Sequence, residues 1–253
     1  MLKRLAKSAR AGLNRLGVDI RPYASRERVY RDMEPEFFKI YDVCAPFTMT
    51  SIERMYGLYK AVQYVVENKL EGDIVECGVW RGGSCMLIAA TLKHFGDTNR
   101  AIYLYDTFEG MPAPTTADIS HDGQRLETKW KQEDAGSHNE WCYASLDDVK
   151  KNLSSIDYPQ DKIQYVVGKV EETIPGKMPS SISLLRLDTD WYESTKHEMT
   201  HLFPRLVSRG ILLIDDYGHW KGSRDAVDES FAALGMKPYL GRIDYTGRVF
   251  VKP

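Results

Sequence analysis

The chain has 253 residues, 43% of them hydrophobic, and a formal net charge of −2. That is enough for one main domain with a large core, and the near-neutral charge sets up no field that would draw nucleic acid, which is excluded as a partner. Four widely spaced cysteines without a C-x-x-C pair, no leader-like apolar segment and no run near the roughly 20 apolar residues needed to cross a bilayer predict a reduced, cytoplasmic protein.

The first 31 residues carry nine lysines and arginines against Asp19 and Glu27, with Leu2, Leu5, Ala9, Leu13 and Leu16 at helical spacing. Residues 1–47 therefore read as a basic helical arm, either a solvated or subunit-packing segment or a peripheral contact with an anionic membrane face. A homo-oligomer is expected. From residue 48 the pattern alternates. Residues 51–68 form a Ser-capped helix, 73–79 a strand, 83–96 a helix and 101–106 a strand. Residues 145–156 continue as a helix, 163–168 and 182–188 as strands, and 193–208 as a helix kinked at Pro204. A strand over 210–216, a helix over 223–235 and a terminal hairpin complete the order. This is α/β alternation around a mostly parallel sheet with an antiparallel edge and helices on both faces. Residues 110–145 interrupt it with a polar stretch holding Trp130, Trp141 and Tyr143. A long aromatic insertion after a strand's C-terminal end predicts a lid.

Ligands of such sheets bind at the carboxyl ends of the parallel strands. The first strand ends in "VECGVWRGGS", a glycine loop opening a helix, although neither G-x-G-x-x-G nor a P-loop is present. Turn glycines alone would look the same. The second strand ends in Asp106, where an acid commonly takes ribose hydroxyls, so the pair points to a nucleoside-bearing ligand. Asp188 ends one strand and Asp215 with Asp216 the next. Three carboxylates brought together repel one another, and a divalent cation with oxygen ligands, Mg²⁺, resolves that repulsion. Helix N-caps would also use aspartates at these places.

The segments "VECGVWRGGS", "YDTFEGMP", "LLRLDTDWYEST" and "LLIDDYGHWKGSRDAVDE" resemble the macrocin O-methyltransferase family, S-adenosylmethionine- and Mg²⁺-dependent sugar O-methyltransferases, over residues 48 to 253. The resemblance implies the class I methyltransferase sheet, seven strands with the last antiparallel, over a domain of residues 48–253. It implies that Asp188, Asp215 and Asp216 bind Mg²⁺ and that Asp190 is the general base. The lysine base of the more distant catechol O-methyltransferases would fall at Trp191, which leaves Asp190 in that role. It further implies that Glu76 and the loop of Gly78, Val79, Trp80, Gly82, Gly83 and Ser84 cradle the methionine part of S-adenosylmethionine. The resemblance implies too that Asp106 holds the ribose and that Thr107, Phe108 and Asp188 complete that site. The implied acceptor is a sugar, with a vicinal diol expected from chelation of the metal.

Three other readings compete. "HEMTH" at 197–201 matches the zinc-peptidase H-E-x-x-H; a buried stripe of Met199, Leu202, Phe203 and Leu206 would instead turn His197 and His201 outward. A non-catalytic nucleotide-binding protein is the second, and a metal-dependent hydroxylase or hydrolase the third. His219 and Trp220 are candidate acceptor contacts, and Lys221 and Arg224 candidate phosphate contacts or solvated charges.

Overall fold

The computed structural model describes residues 26–253. Most of the basic arm, with its proposed membrane and subunit contacts, lies outside the described residues. The chain divides into two units between Pro35 and Glu36. The described part of the first holds a one-turn helix, α1 (Arg26–Val29).

In the second unit α2 (Pro35–Cys44) leads into α3 (Ile52–Glu67), whose Ser51 cap accepts a hydrogen bond from Arg54 N at 3.1 Å. Then follow β1 (Asp73–Cys77), α4 (Gly83–His94) and β2 (Ile102–Asp106). The interrupting segment of 110–145 contains α5 (Glu127–Gln132) and isolated bridges, one of which pairs Ser120 with Trp220. After it come α6 (Leu146–Ser154), β3 (Ile163–Val167), α7 (Val170–Thr173), β4 (Ile182–Leu187) and α8 (Tyr192–His201). The chain ends with β5 (Leu206–Ile214), α9 (Lys221–Ala233), β6 (Gly241–Arg242) and β7 (Arg248–Val251). Among the described residues no helix is long and apolar enough to cross a membrane.

The seven strands form one sheet in the order β3-β2-β1-β4-β5-β7-β6. β1 to β5 run parallel, and β7 is antiparallel to both β5 and β6. Strand alternation sends Val75 and Cys77 to one face, where they join Met199, Phe203, Val227 and Phe231 in the core. On the other face Glu76 meets Ser84 and Cys85 of α4.

Most element ends fall within two residues of the sequence expectation, and one boundary differs by more. The helix predicted over 193–208 is not kinked at Pro204 but ends at His201, and Phe203–Arg205 forms a 3₁₀ turn with the proline in its first positions. A proline has no N–H to give an α-helix and clashes with the preceding turn, but it fits the first turn of a new one. β5 therefore starts at Leu206, four residues before the predicted start at Gly210.

Candidate active site

β1 has β2 on one side and β4 on the other, so the connections leave it in opposite directions and open a crevice beyond the strand ends. A cleft of about 300 Å³ occupies that position. The parallel register sets Cys77 opposite Leu187 and Leu187 opposite Ile214. Asp188 and Asp215, the next residues, thus leave adjacent strands at the same level.

On the β1–β2 side the glycine loop is fixed by an acid. Asp106 Oδ2 accepts the amides of Val79 and Trp80 at 2.7 and 3.1 Å, and Oδ1 accepts that of Phe108 at 2.8 Å. Burial pushes the Asp106 carboxyl above its ordinary range, opposed by these three amides. Gly78 has φ +83°, and a Cβ there would overlap the backbone oxygen of Asp188. We expect Gly78→Ala to cost about 1–2 kcal/mol in left-handed strain alone, with the overlap adding to it. Urea unfolding measures the loss, and an unchanged midpoint would contradict this packing.

Of the residues singled out in the sequence, Gly78, Val79, Trp80, Ser84, Asp106, Thr107, Asp188, Asp190, Asp215 and Asp216 line the cleft. Glu76, Gly82, Gly83 and Phe108 are not among its lining residues. Glu76 is wholly buried, bound by Ser84, Cys85 and Arg186. Gly82, with φ +87°, turns the chain into α4, and Gly83 packs against Phe47.

On the β4–β5 side, ligand atoms of Asp188, Asp215 and Asp216 all lie within 4.8 Å of one another. Two arginines interleave with them. Arg186, itself on β4 and 3% exposed, bridges Glu76 at 2.5 Å, Asp188 at 2.9 Å and Asp215 at 2.7 Å. Arg54 from α3 pairs with Asp215 and, at 3.0 Å, with Asp244. Two guanidinium groups do not neutralise Asp188, Asp190, Asp215, Asp216, Glu76 and Asp244. Burial, with the surplus negative charge of the neighbouring acids, pushes Asp188 and Asp216 well above the ordinary carboxylate range, against the opposing pull of Arg186. An all-oxygen, electron-rich donor set of this kind fits a hard divalent cation.

Asp190 begins the turn into α8 at φ +66°. Its amide donates to Asp216 Oδ2 at 3.3 Å, and its carboxyl hydrogen-bonds to the Asp216 side chain and to Trp220. Burial, reinforced by the charge of Asp188, pushes that carboxyl up to about 7.

An aromatic cluster borders the cleft, two of its members, Trp141 and Trp220, lining it. Trp191 packs edge-on against Trp141 and Trp220 with ring centres 5.7 and 5.5 Å apart, joined by Leu126 and Met111. Trp141 is contributed by the interrupting segment, so these tryptophans pin it to the strand ends. Trp191 Nε1 donates to Pro112 O at 2.9 Å, and buried Asp118 accepts the Tyr192 amide at 2.8 Å. His219 and Trp220 line the cleft. Lys221 and Arg224 do not line it; they pair with Asp225 and Asp228.

In the "HEMTH" helix the His197 and His201 rings lie side by side, 4.4 Å between centres, but Glu198 turns away from them. Met199, Leu202, Phe203 and Leu206 are buried as expected, His197 and His201 are half-buried with His197 Nε2 bonded to Ile174 O at 2.9 Å, and Glu198 points inward, fully buried. The peptidase arrangement needs a third ligand beside the two histidines and the glutamate facing the metal-bound water as base; among the described residues no third ligating side chain joins His197 and His201, and Glu198 faces the core.

The sheet order, the antiparallel last strand and the crevice at the β1–β4 switch define a class I methyltransferase. The family model of macrocin-O-methyltransferase (TylF) matches residues 40–252, and the chain belongs to that family. It is 33% identical over 200 residues to the 8-demethyl-8-(2,3-dimethoxy-alpha-L-rhamnosyl)-tetracenomycin-C 4′-O-methyltransferase of Streptomyces olivaceus, covering 79% of this chain and 73% of that protein. Among solved structures, the O-methyltransferase NovP superposes with a TM-score of 0.71 at 29% identity, over 81% of this chain and 82% of NovP. The methyltransferase PaMTH1 of Podospora anserina, with S-adenosylhomocysteine bound, shares the fold at a TM-score of 0.52 and 12% identity, over 92% and 99% of the two chains.

Proposed function

We propose that the enzyme transfers a methyl group from S-adenosylmethionine to a sugar hydroxyl, with Mg²⁺ held by Asp188, Asp215 and Asp216 and with Asp190 as general base. The observation that carries this reading is the meeting, at the ends of β4 and β5, of three close carboxylates with a fourth, Asp190, in one cleft. The rhamnosyl substrate in the name of the Streptomyces olivaceus relative supports a sugar acceptor. The glycine loop pinned by Asp106, in a fold shared with a protein that binds S-adenosylhomocysteine, supports the donor.

The donor would be held by Gly78, Val79, Trp80, Ser84, Asp106 and Thr107, and it supplies an electrophilic methyl on a sulfonium. When bound, Mg²⁺ lowers the pKa of an acceptor hydroxyl and fixes its oxygen. Asp190, which lines the same cleft as the three acids, would take the proton as general base. Trp141 and Trp220 line the cleft beside it, and the remaining gain comes from holding two reactants in one orientation. Two ligand oxygens favour a vicinal diol. The reading is tested by incubating metal-stripped enzyme with S-adenosylmethionine and a panel of rhamnosides, with and without Mg²⁺, and following S-adenosylhomocysteine. Turnover only with the metal is expected, at least tenfold slower, by about 1.4 kcal/mol, for a deoxy acceptor lacking the neighbouring hydroxyl. Undiminished turnover in chelator would sink the metal's part.

A pH dependence follows with a definite sign. Folded carboxyls raised above the unfolded value of about 3.9 hold extra protons in the native state, so their stabilisation is present below that pH and is lost as pH rises through the folded value. Mg²⁺ binds the deprotonated carboxylates. Saturating Mg²⁺ should therefore raise the melting temperature of the metal-free enzyme more at about pH 8 than at about pH 5.5. Equal shifts in scanning fluorimetry would count against these ligands.

A further inference from the structure

The methyl-transfer site makes no direct use of Glu198, the glutamate of the "HEMTH" segment. It lies on α8 with no exposed surface. Its electrostatic neighbours include Glu171 and Asp216, both acidic, and burial pushes its carboxyl well above the ordinary range. A buried acid without a cation is costly unless it is hydrogen-bonded. Its partners are the buried Cys77 thiol and the hydroxyl of Thr189, which donates to Oε1 and Oε2 at 3.0 and 3.2 Å.

Thr189 stands between Asp188 and Asp190. These residues form the turn from β4 into α8, in which Asp188 N donates to Cys77 O at 2.8 Å and Trp191 N to Thr189 O at 2.7 Å. Asp190 takes a positive φ there, a backbone state that persists in a non-glycine residue when the surroundings over-determine it. The backbone bonds hold the two ends of the turn. Between them, the Thr189–Glu198 bond is the side-chain tie from its middle to the helix below.

We propose that Glu198 is a positioning residue which, through the Thr189 hydroxyl, clamps the Asp188–Asp190 turn and so sets the two carboxylates in the cleft. The proposal rests on the reading of Asp188 as a metal ligand and Asp190 as base. Its chemistry is that of an outer shell of hydrogen bonds orienting the groups that meet the metal. It also explains why a glutamate is buried on this helix while its two histidines play no part in the cleft.

The test is Mn²⁺ titration, read by electron paramagnetic resonance, of the full-length, metal-stripped enzyme saturated with S-adenosylhomocysteine. Thr189→Val keeps the side-chain shape and removes the donor; Glu198→Leu removes the acceptor. Each should weaken Mn²⁺ binding by about ten- to hundredfold, the usual effect of losing an outer-shell partner. Glu198→Gln, whose amide oxygen accepts the same bond, should stay within about threefold of the parent. The Thr189→Val/Glu198→Leu double variant should lose no more than either single change, since the two remove one interaction. If Glu198→Leu fails to fold, Thr189→Val and Glu198→Gln decide the matter between them. A Thr189→Val enzyme that melts lower but binds Mn²⁺ like the parent overturns the clamp alone. A parent enzyme that binds no Mn²⁺ overturns the metal reading, and the clamp with it.

Discussion

Replacing Arg186 by methionine is expected to cost about 3–5 kcal/mol of stability, the penalty for removing one partner from a buried ion cluster. Arg186 is the shared counter-ion of Glu76, Asp188 and Asp215, at 2.5 to 2.9 Å from each. Methionine fills a similar volume, so the loss measures charge rather than a cavity. It leaves Glu76 fully buried with only Ser84 and Cys85 as partners, and removes from Asp215 one of its two guanidinium contacts. Much of the loss should be recovered when Glu76 is changed to Gln in the same chain, because the uncompensated charge is then gone. Guanidinium-chloride unfolding of the single and double variants measures both effects. A single variant within about 1 kcal/mol of the parent would mean that the cluster is solvated rather than locked, since exposed pairs are worth no more than that.

Asp190→Asn is expected to lower kcat by about a thousandfold, within the usual range for loss of a general base. Asparagine suits this substitution because it adopts the left-handed backbone readily, so the φ of +66° at this position need not change. It keeps a hydrogen-bonding amide beside Asp216 while losing the ability to take a proton. Binding of S-adenosylhomocysteine should be unaffected, as the residues proposed to hold it leave β1 and β2. Initial rates on the rhamnoside turned over by the parent, together with calorimetry for the product, separate the two. A variant retaining more than about a tenth of the parent rate would move the base elsewhere, since removing a general base costs more than that.

Much of this site was legible because it depends on where strands end. Apolar runs closed by Asp106, by Asp188 and by Asp215 with Asp216 mark strand termini, and a parallel sheet puts those termini on one side. The level register of Leu187 and Ile214 then follows from the pairing. The arginines were harder to find. Arg54 is 161 residues from Asp215 in sequence, and the periodicity of its helix does not indicate where a long side chain will reach. Arg186 did carry a signal, a lone charge inside "ISLLRLD", because a strand residue buried beside acids needs a compensating partner. The end of α8 was misplaced because Pro204 can either kink a helix or start a new turn, and the choice depends on β5 claiming Leu206. The tryptophan cluster joins residues from the interrupting segment and from the turns after β4 and β5, and its packing has no period to read. The role of Glu198 was hidden for the opposite reason: a short motif suggested metal ligation, whereas burial ties the residue to Thr189.

The most direct measurement is calorimetric titration of S-adenosylmethionine and S-adenosylhomocysteine into metal-stripped enzyme, repeated with Mg²⁺. Micromolar binding of both ligands is the result expected of a methyltransferase using Gly78–Trp80 and Asp106 as its donor site. Absence of binding with and without Mg²⁺ would contradict methyl transfer from this donor.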